Sequence, residues 1–190
     1  MKKLHLFAFA LVIGAILIFT GYTLTHINPN LDVITAMEGK SEADNLAQKW
    51  NDSAVLVAVY GYGNSGEWRY SYSSNHASIN LSTGFDVFIC ANGTNVTEER
   101  EHPPSPYPIS NWNIDSINAI KIAQSNSEIK EWLNKYDNAK LQSIILTANE
   151  SSSAWGIAWS DAGFMDDPHT IAIGIDARTG EVIDVYIQGL

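Results

Sequence analysis

Four prolines, Pro103, Pro104, Pro106 and Pro108, stand within six consecutive positions. Each lacks a backbone N–H and fixes φ, so neither a helix nor a central strand can run through them. Glu98, Glu99, Glu101 and His102 precede them, and the stretch 97–113 reads as an acidic, proline-rich linker. The chain is thereby divided into an opening segment (1–27), a first unit (28–96) and a second unit (114–190).

The two units carry the same order of elements. In the first, the spacing predicts a helix opening at Ser41, with Asp44 as a capping-box-like partner and Ala43, Leu46, Ala47 and Trp50 on one face. Asn51 and Asp52 stop it, and Ala54 to Tyr62 reads as a strand. Trp68, Tyr70 and Tyr72 alternate with polar residues as a half-buried strand does, and Phe85, Val87 and Ile89 alternate again before the Asn92-Gly93 turn. The second unit opens at Asp115 with helical spacing through Tyr136, closed by Asp137 and Asn138. Strands follow at Leu141 to Thr147, Trp155 to Trp159, Ile171 to Ile175 and Val182 to Ile187. Helix followed by meander, used twice, predicts a duplicated α+β unit.

Ahead of both lies an apolar run from Leu6 to Leu24, 19 residues preceded by Lys2 and Lys3. As a helix it would reach roughly 28 Å, about the hydrocarbon thickness of a bilayer. The expectation is a single-pass membrane helix, N-terminus cytoplasmic and the remainder extracytoplasmic. Cleavage near Gly21 and Thr23 would instead release a secreted protein.

The chain has a formal charge of −10, and setting aside Lys2 and Lys3 leaves the exported part at −12. With 21 acidic residues against 11 basic ones there is no footprint for nucleic acid. A lone cysteine, Cys90, excludes an internal disulfide and any multi-cysteine zinc site. It lies in an apolar stretch, where a thiol behaves as a small hydrophobe.

The segment Ile171-Ala-Ile-Gly-Ile-Asp176-Ala-Arg-Thr-Gly180-Glu-Val-Ile-Asp184 resembles the closing signature of the PepSY family. It has an apolar strand, an Asp-x-x-Thr-Gly-Glu turn and a returning strand. The physical content is a hairpin whose glycine takes positive φ while Asp and Thr side chains hold the turn. The likeness spans Asp115 to Gln188, whereas in the first unit Cys90-Ala-Asn-Gly93 stands in place of the Asp-led turn. It implies an α+β fold of two cystatin-like helix-plus-antiparallel-meander modules in tandem behind the transmembrane helix. It also implies a protein that acts by binding or inhibiting a protein or peptide, such as a peptidase, with no catalytic set to carry over.

Candidate chemistry is sparse. Asp161, Asp166, Asp167 and His169 form the densest group of potential ligands, in a loop with Gly163 and Pro168, and would suit Ca²⁺; otherwise they form a solvated acidic loop. No other cofactor is expected. Trp68, Tyr70, Tyr72, Trp155 and Trp159 are core by default, and would otherwise present an aromatic platform for a peptide or glycan. Asn51, Asn80, Asn92, Asn95 and Asn149 each begin an N-glycosylation sequon in a predicted turn or loop. No Gly-x-Ser-x-Gly, His-Glu-x-x-His or phosphate-loop pattern occurs. The expectation is a non-enzymatic, membrane-anchored binding or regulatory module. The alternatives are an extracytoplasmic hydrolase assembled from dispersed loop residues and a structural envelope component.

Overall fold

The computed structural model describes residues 35–61, 66–74, 83–90, 95–101, 103–105, 107–161 and 169–188. The run Leu6 to Leu24 lies outside them, and among the described residues no helix is long and apolar enough to cross a membrane.

Helix α1 spans Ala36–Trp50 and starts five residues before the Ser41 expected from the sequence. Its N-cap is Thr35, whose hydroxyl accepts from the Glu38 N–H while the Glu38 carboxylate accepts from the Thr35 N–H, a reciprocal capping box. The early start is possible because Ala36 and Gly39 are small enough to lie on the sheet. A Cβ at Gly39 would run into the Tyr70 hydroxyl. Tyr70 in turn donates to the Ala36 carbonyl at 2.7 Å, and Tyr72 donates to Asp44 at 2.8 Å. Burial raises both phenols far above their ordinary range, joined by the negative charge of Asp115 and Asp44 at Tyr70 and of Asp44 at Tyr72, so they stay protonated donors that moor α1.

Strands β1 (Val55–Gly61), β2 (Glu67–Ser73), β3 (Gly84–Cys90) and β4 (Asn95–Arg100) follow. After the proline segment come α2 (Ser116–Ser125) and α3 (Ser127–Lys135), then β5 (Lys140–Ala148), β6 (Ser153–Ser160), β7 (Thr170–Asp176) and β8 (Val182–Gln188). The helix expected from Asp115 to Tyr136 is broken at Asn126. That residue is extended, ends α2, and caps α3 by accepting from the Glu128 and Ile129 N–H groups.

The expectation of two modules in tandem, each with its own sheet, is corrected by the strand order β4-β3-β2-β1-β5-β6-β7-β8 in one antiparallel sheet. β1 and β5 pair directly, Ala58 to Gly61 against Thr147 to Ile144. Each would be an open edge in a lone meander, and their pairing removes two edges at once. Val59, Tyr70, Leu146, Trp155, Ile157 and Ile173 then belong to a single buried cluster under the three helices. A second device joins the halves. The α1 N-terminus is met by α2, with the Ala36 N–H donating to Ser116 Oγ at 3.1 Å and the Met37 N–H to Asp115 Oδ1 at 3.1 Å. Asp115 is also the N-cap of α2, so one carboxylate serves two helix starts.

The hairpin predicted at Asp176 to Gly180 is present. Asp176 Oδ1 accepts from the Arg178 and Thr179 N–H groups, Thr179 Oγ1 accepts from the Glu181 N–H, and Gly180 sits at φ +79°. Burial tends to raise the Asp176 carboxyl, but those turn N–H groups and Arg178 outweigh it and hold it below the usual carboxylate range. At the other side of the sheet, Glu98 and Glu99, read from sequence as linker charge, lie on β4, the outermost strand.

Candidate functional site

The five aromatic candidates form no platform. Trp68, Tyr70, Tyr72, Trp155 and Trp159 all point from β2 and β6 into the core and are buried. Trp68 meets Trp155 edge to face at 6.4 Å, and Trp155 Nε1 donates to the Ile114 carbonyl at 2.7 Å. Their spacing on alternate residues fits either a core or an exposed face. The helices overhead decide for the core.

Of the four proposed cation ligands the fold brings two together, and Asp166 and Asp167 lie outside the described residues. His169 Nδ1 lies 2.8 Å from Asp161 Oδ2, and the His169 N–H donates to Asp161 Oδ1 at 2.9 Å. The imidazole stacks on Tyr136 at 4.6 Å, and Asn138 Nδ2 donates to the Asp161 carbonyl. The same bonds close the neck of the loop between β6 and β7. Among the described residues no group of three or more His, Cys, Asp or Glu could hold a metal ion.

The sequon asparagines are structural to different degrees. Asn51 Oδ1 accepts from Ser53 N–H and Oγ–H at the end of α1, and Asn149 Oδ1 accepts from the Ser151 and Ser152 N–H groups in the β5–β6 turn. Asn95 is exposed at the start of β4, while Asn80, Asn92 and His102 lie outside the described residues. Cys90 ends β3 with its thiol 3.5 Å from Glu67 Oε2. Burial first, and Glu67 second, push that thiol up to about 11, so it is no nucleophile at neutral pH.

Two features were not identified from the sequence. One is a charge cluster on the sheet face opposite the helices. Asp86, 1% exposed, receives Ser71 Oγ–H at 2.6 Å on Oδ1, while Oδ2 faces Arg100 at 3.2 Å and Arg69 at 3.7 Å. The Arg69 guanidinium also lies 4.1 Å above the Tyr60 ring. Arg69 is itself only 5% exposed, so the strand expected to be half-buried is buried on both faces. The register makes the cluster: Ser71 is opposite Asp86, Tyr60 is opposite Arg69, and Arg100 is diagonal to Asp86. The signal available in the sequence was a set of charged and hydroxyl residues at alternate positions of two aromatic strands. Two guanidinium groups thus stand around one buried carboxylate.

The other feature is the contrast between the two ends of the sheet. β4 ends it with Glu98, Glu99 and Arg100, charges that discourage pairing with another strand. β8 ends it with Val-Ile-Asp-Val-Tyr-Ile-Gln, which holds one charge, and Val182, Ile183 and Tyr186 are 41%, 46% and 41% exposed. Among the described residues no strand pairs with its outer side, whose N–H and C=O groups can accept one, although the Val185 N–H already donates to Asp184 Oδ1 at 2.8 Å.

No family model matches the chain and no curated protein matches it. Among solved structures it is similar to a candidate lipoprotein of Clostridium difficile 630, at 15% identity and a TM-score of 0.48, over 78% of this chain and 92% of that one.

Proposed function

We propose that this chain is an extracytoplasmic binding module, tethered by its N-terminal apolar segment, that engages a protein or peptide along the open edge of β8. The observation that carries the reading is that edge: seven residues with a single charge and three exposed apolar side chains, in a chain whose other sheet end is acidic. An added strand would take backbone hydrogen bonds from β8 and side-chain contacts from Tyr186 and Ile183. Lys2, Lys3 and the run Leu6 to Leu24 support the tether and its orientation.

The test compares the full chain, tagged at its N-terminus and extracted from membranes, with its Tyr186→Lys variant. The wild type is expected to retain a partner that the variant releases, and to leave a panel of peptides uncut. The Asp161–His169 pair favours the hydrolase as a second reading. Peptide cleavage by the wild type that His169→Ala abolishes would replace the binding reading with that one.

A further inference from the structure

The partner suited to the β8 edge can be argued from the side chains of the edge itself. β7 and β8 lose register between Gly174 and Ile175, where Ile183 is the extra residue on β8. A bulge interrupts pairing on its strand, so the regular template is Asp184 to Gln188, five residues centred on Tyr186. Placed antiparallel to a second copy of itself about that centre, the template matches at every position. Val185 faces Ile187, continuing the apolar face that both present towards the helices. Tyr186 meets Tyr186 on the opposite face, and Asp184, whose Oδ1 accepts from the Val185 N–H, faces the Gln188 amide, which can donate to Oδ2. The one acid on the strand never opposes its own copy. Other pairings are less well matched: β4 against β4 sets side by side two strands that each carry Glu98 and Glu99, and β4 against β8 leaves an edge open at each end and builds a filament. The chain already joins its own halves by antiparallel pairing of two strands, at β1 and β5.

We propose that β8 pairs with β8 of a second copy across a twofold axis at Tyr186, extending the sheet without interruption through a symmetric dimer. This rests on the reading of β8 as the contact edge and names its occupant. An unrelated extended peptide would satisfy the backbone but not this side-chain match, and is an outcome of the test.

The full chain is expressed with two different N-terminal tags and extracted in mild detergent. The two wild-type tags are expected to co-purify. A Tyr186→Lys chain sets two ammonium groups against each other and is expected to retain its like-tagged copy about fivefold less well. Mixing Tyr186→Lys with Tyr186→Glu is expected to restore retention, which a folding defect would not do. In a Cys90→Ala background, Tyr186→Cys is expected to form a disulfide-linked dimer on oxidation, and Val182→Cys is not. Absence of wild-type co-purification, undiminished retention by Tyr186→Lys, or linking at 182 but not 186 overturns the dimer. A labelled peptide copying residues 182–190 separates the two ideas. Binding of the peptide to wild type but not to Tyr186→Lys, with no co-purification of full chains, ends the dimer and leaves the edge reading standing. Failure of both ends both.

Discussion

Asp86 is held between Arg69 and Arg100 at depths where water no longer compensates a bare charge. Removing its carboxylate as Asp86→Ala takes away the buried acceptor that Ser71, Arg69 and Arg100 share. That is expected to cost about 3 to 5 kcal/mol, read from urea unfolding, while Glu98→Ala on the exposed neighbour strand costs under about 0.5 kcal/mol. The other residue-scale tests concern ionisation. Asp176 has a folded-state pKa below its unfolded value, so its contribution to stability is fully present above about pH 4 and is lost as pH falls through the folded value. Unfolding curves of wild type and Asp176→Asn are therefore expected to differ at pH 7 and to converge as the solution is acidified towards pH 2. A gap unchanged by acid would show that the turn depends on shape and not on the charge. Cys90, with its thiol raised to about 11, is expected to react slowly with iodoacetamide at pH 7.5 and to accelerate steadily up to pH 11.

Among the elements, α1 shows how a helix start can be legible and yet be missed. Thr35 and Glu38 form as good a box as Ser41 and Asp44 suggested, but the choice between them depends on whether Ala36 and Gly39 have a surface to lie on. That surface is Tyr70, from a strand over thirty residues later in the chain. Gly39→Ala should gain up to about 1 kcal/mol of helix propensity and lose more, about 1 to 3 kcal/mol, by overpacking against Tyr70. A net rise in the thermal midpoint would refute that contact. The α1 and α2 starts depend on each other through Asp115. Asp115→Ala removes caps from both and is expected to cost about 2 kcal/mol, against about 1 for Thr35→Ala, in the same urea assay. β4 was missed for a different reason. It buries almost nothing, so no alternation of apolar residues marks it, and only pairing with β3 makes it a strand.

For the molecule as a whole, the shared sheet and core predict one unfolding transition. Tryptophan fluorescence and far-UV circular dichroism should coincide through the melt, and Leu146→Ala at the β1–β5 seam should lower both together by about 3 kcal/mol. Two separated transitions would instead show halves that fold independently. Much of this architecture was readable without coordinates. Local turn chemistry at Asp176 to Gly180, the alternation in β3 and β7, and the prolines after β4 depend on neighbours within a few residues, and so they fix the hairpin, those strands and where regular structure stops between the two halves of the chain. What the residues alone could not decide is whether those halves stand apart or share a sheet. β1 and β5 carry no mark of being edges or partners, because a strand's pairing face is its backbone, which is the same for every sequence. The same limit explains the site. Trp68, Tyr70 and Tyr72 alternate in the same way whether a helix covers them or water does, and Arg69, Asp86 and Arg100 become a cluster only through register. The amino-acid sequence set most of the elements and the net acidic charge; tertiary pairing decided which charges are buried together and, among the described residues, that β8 ends the sheet.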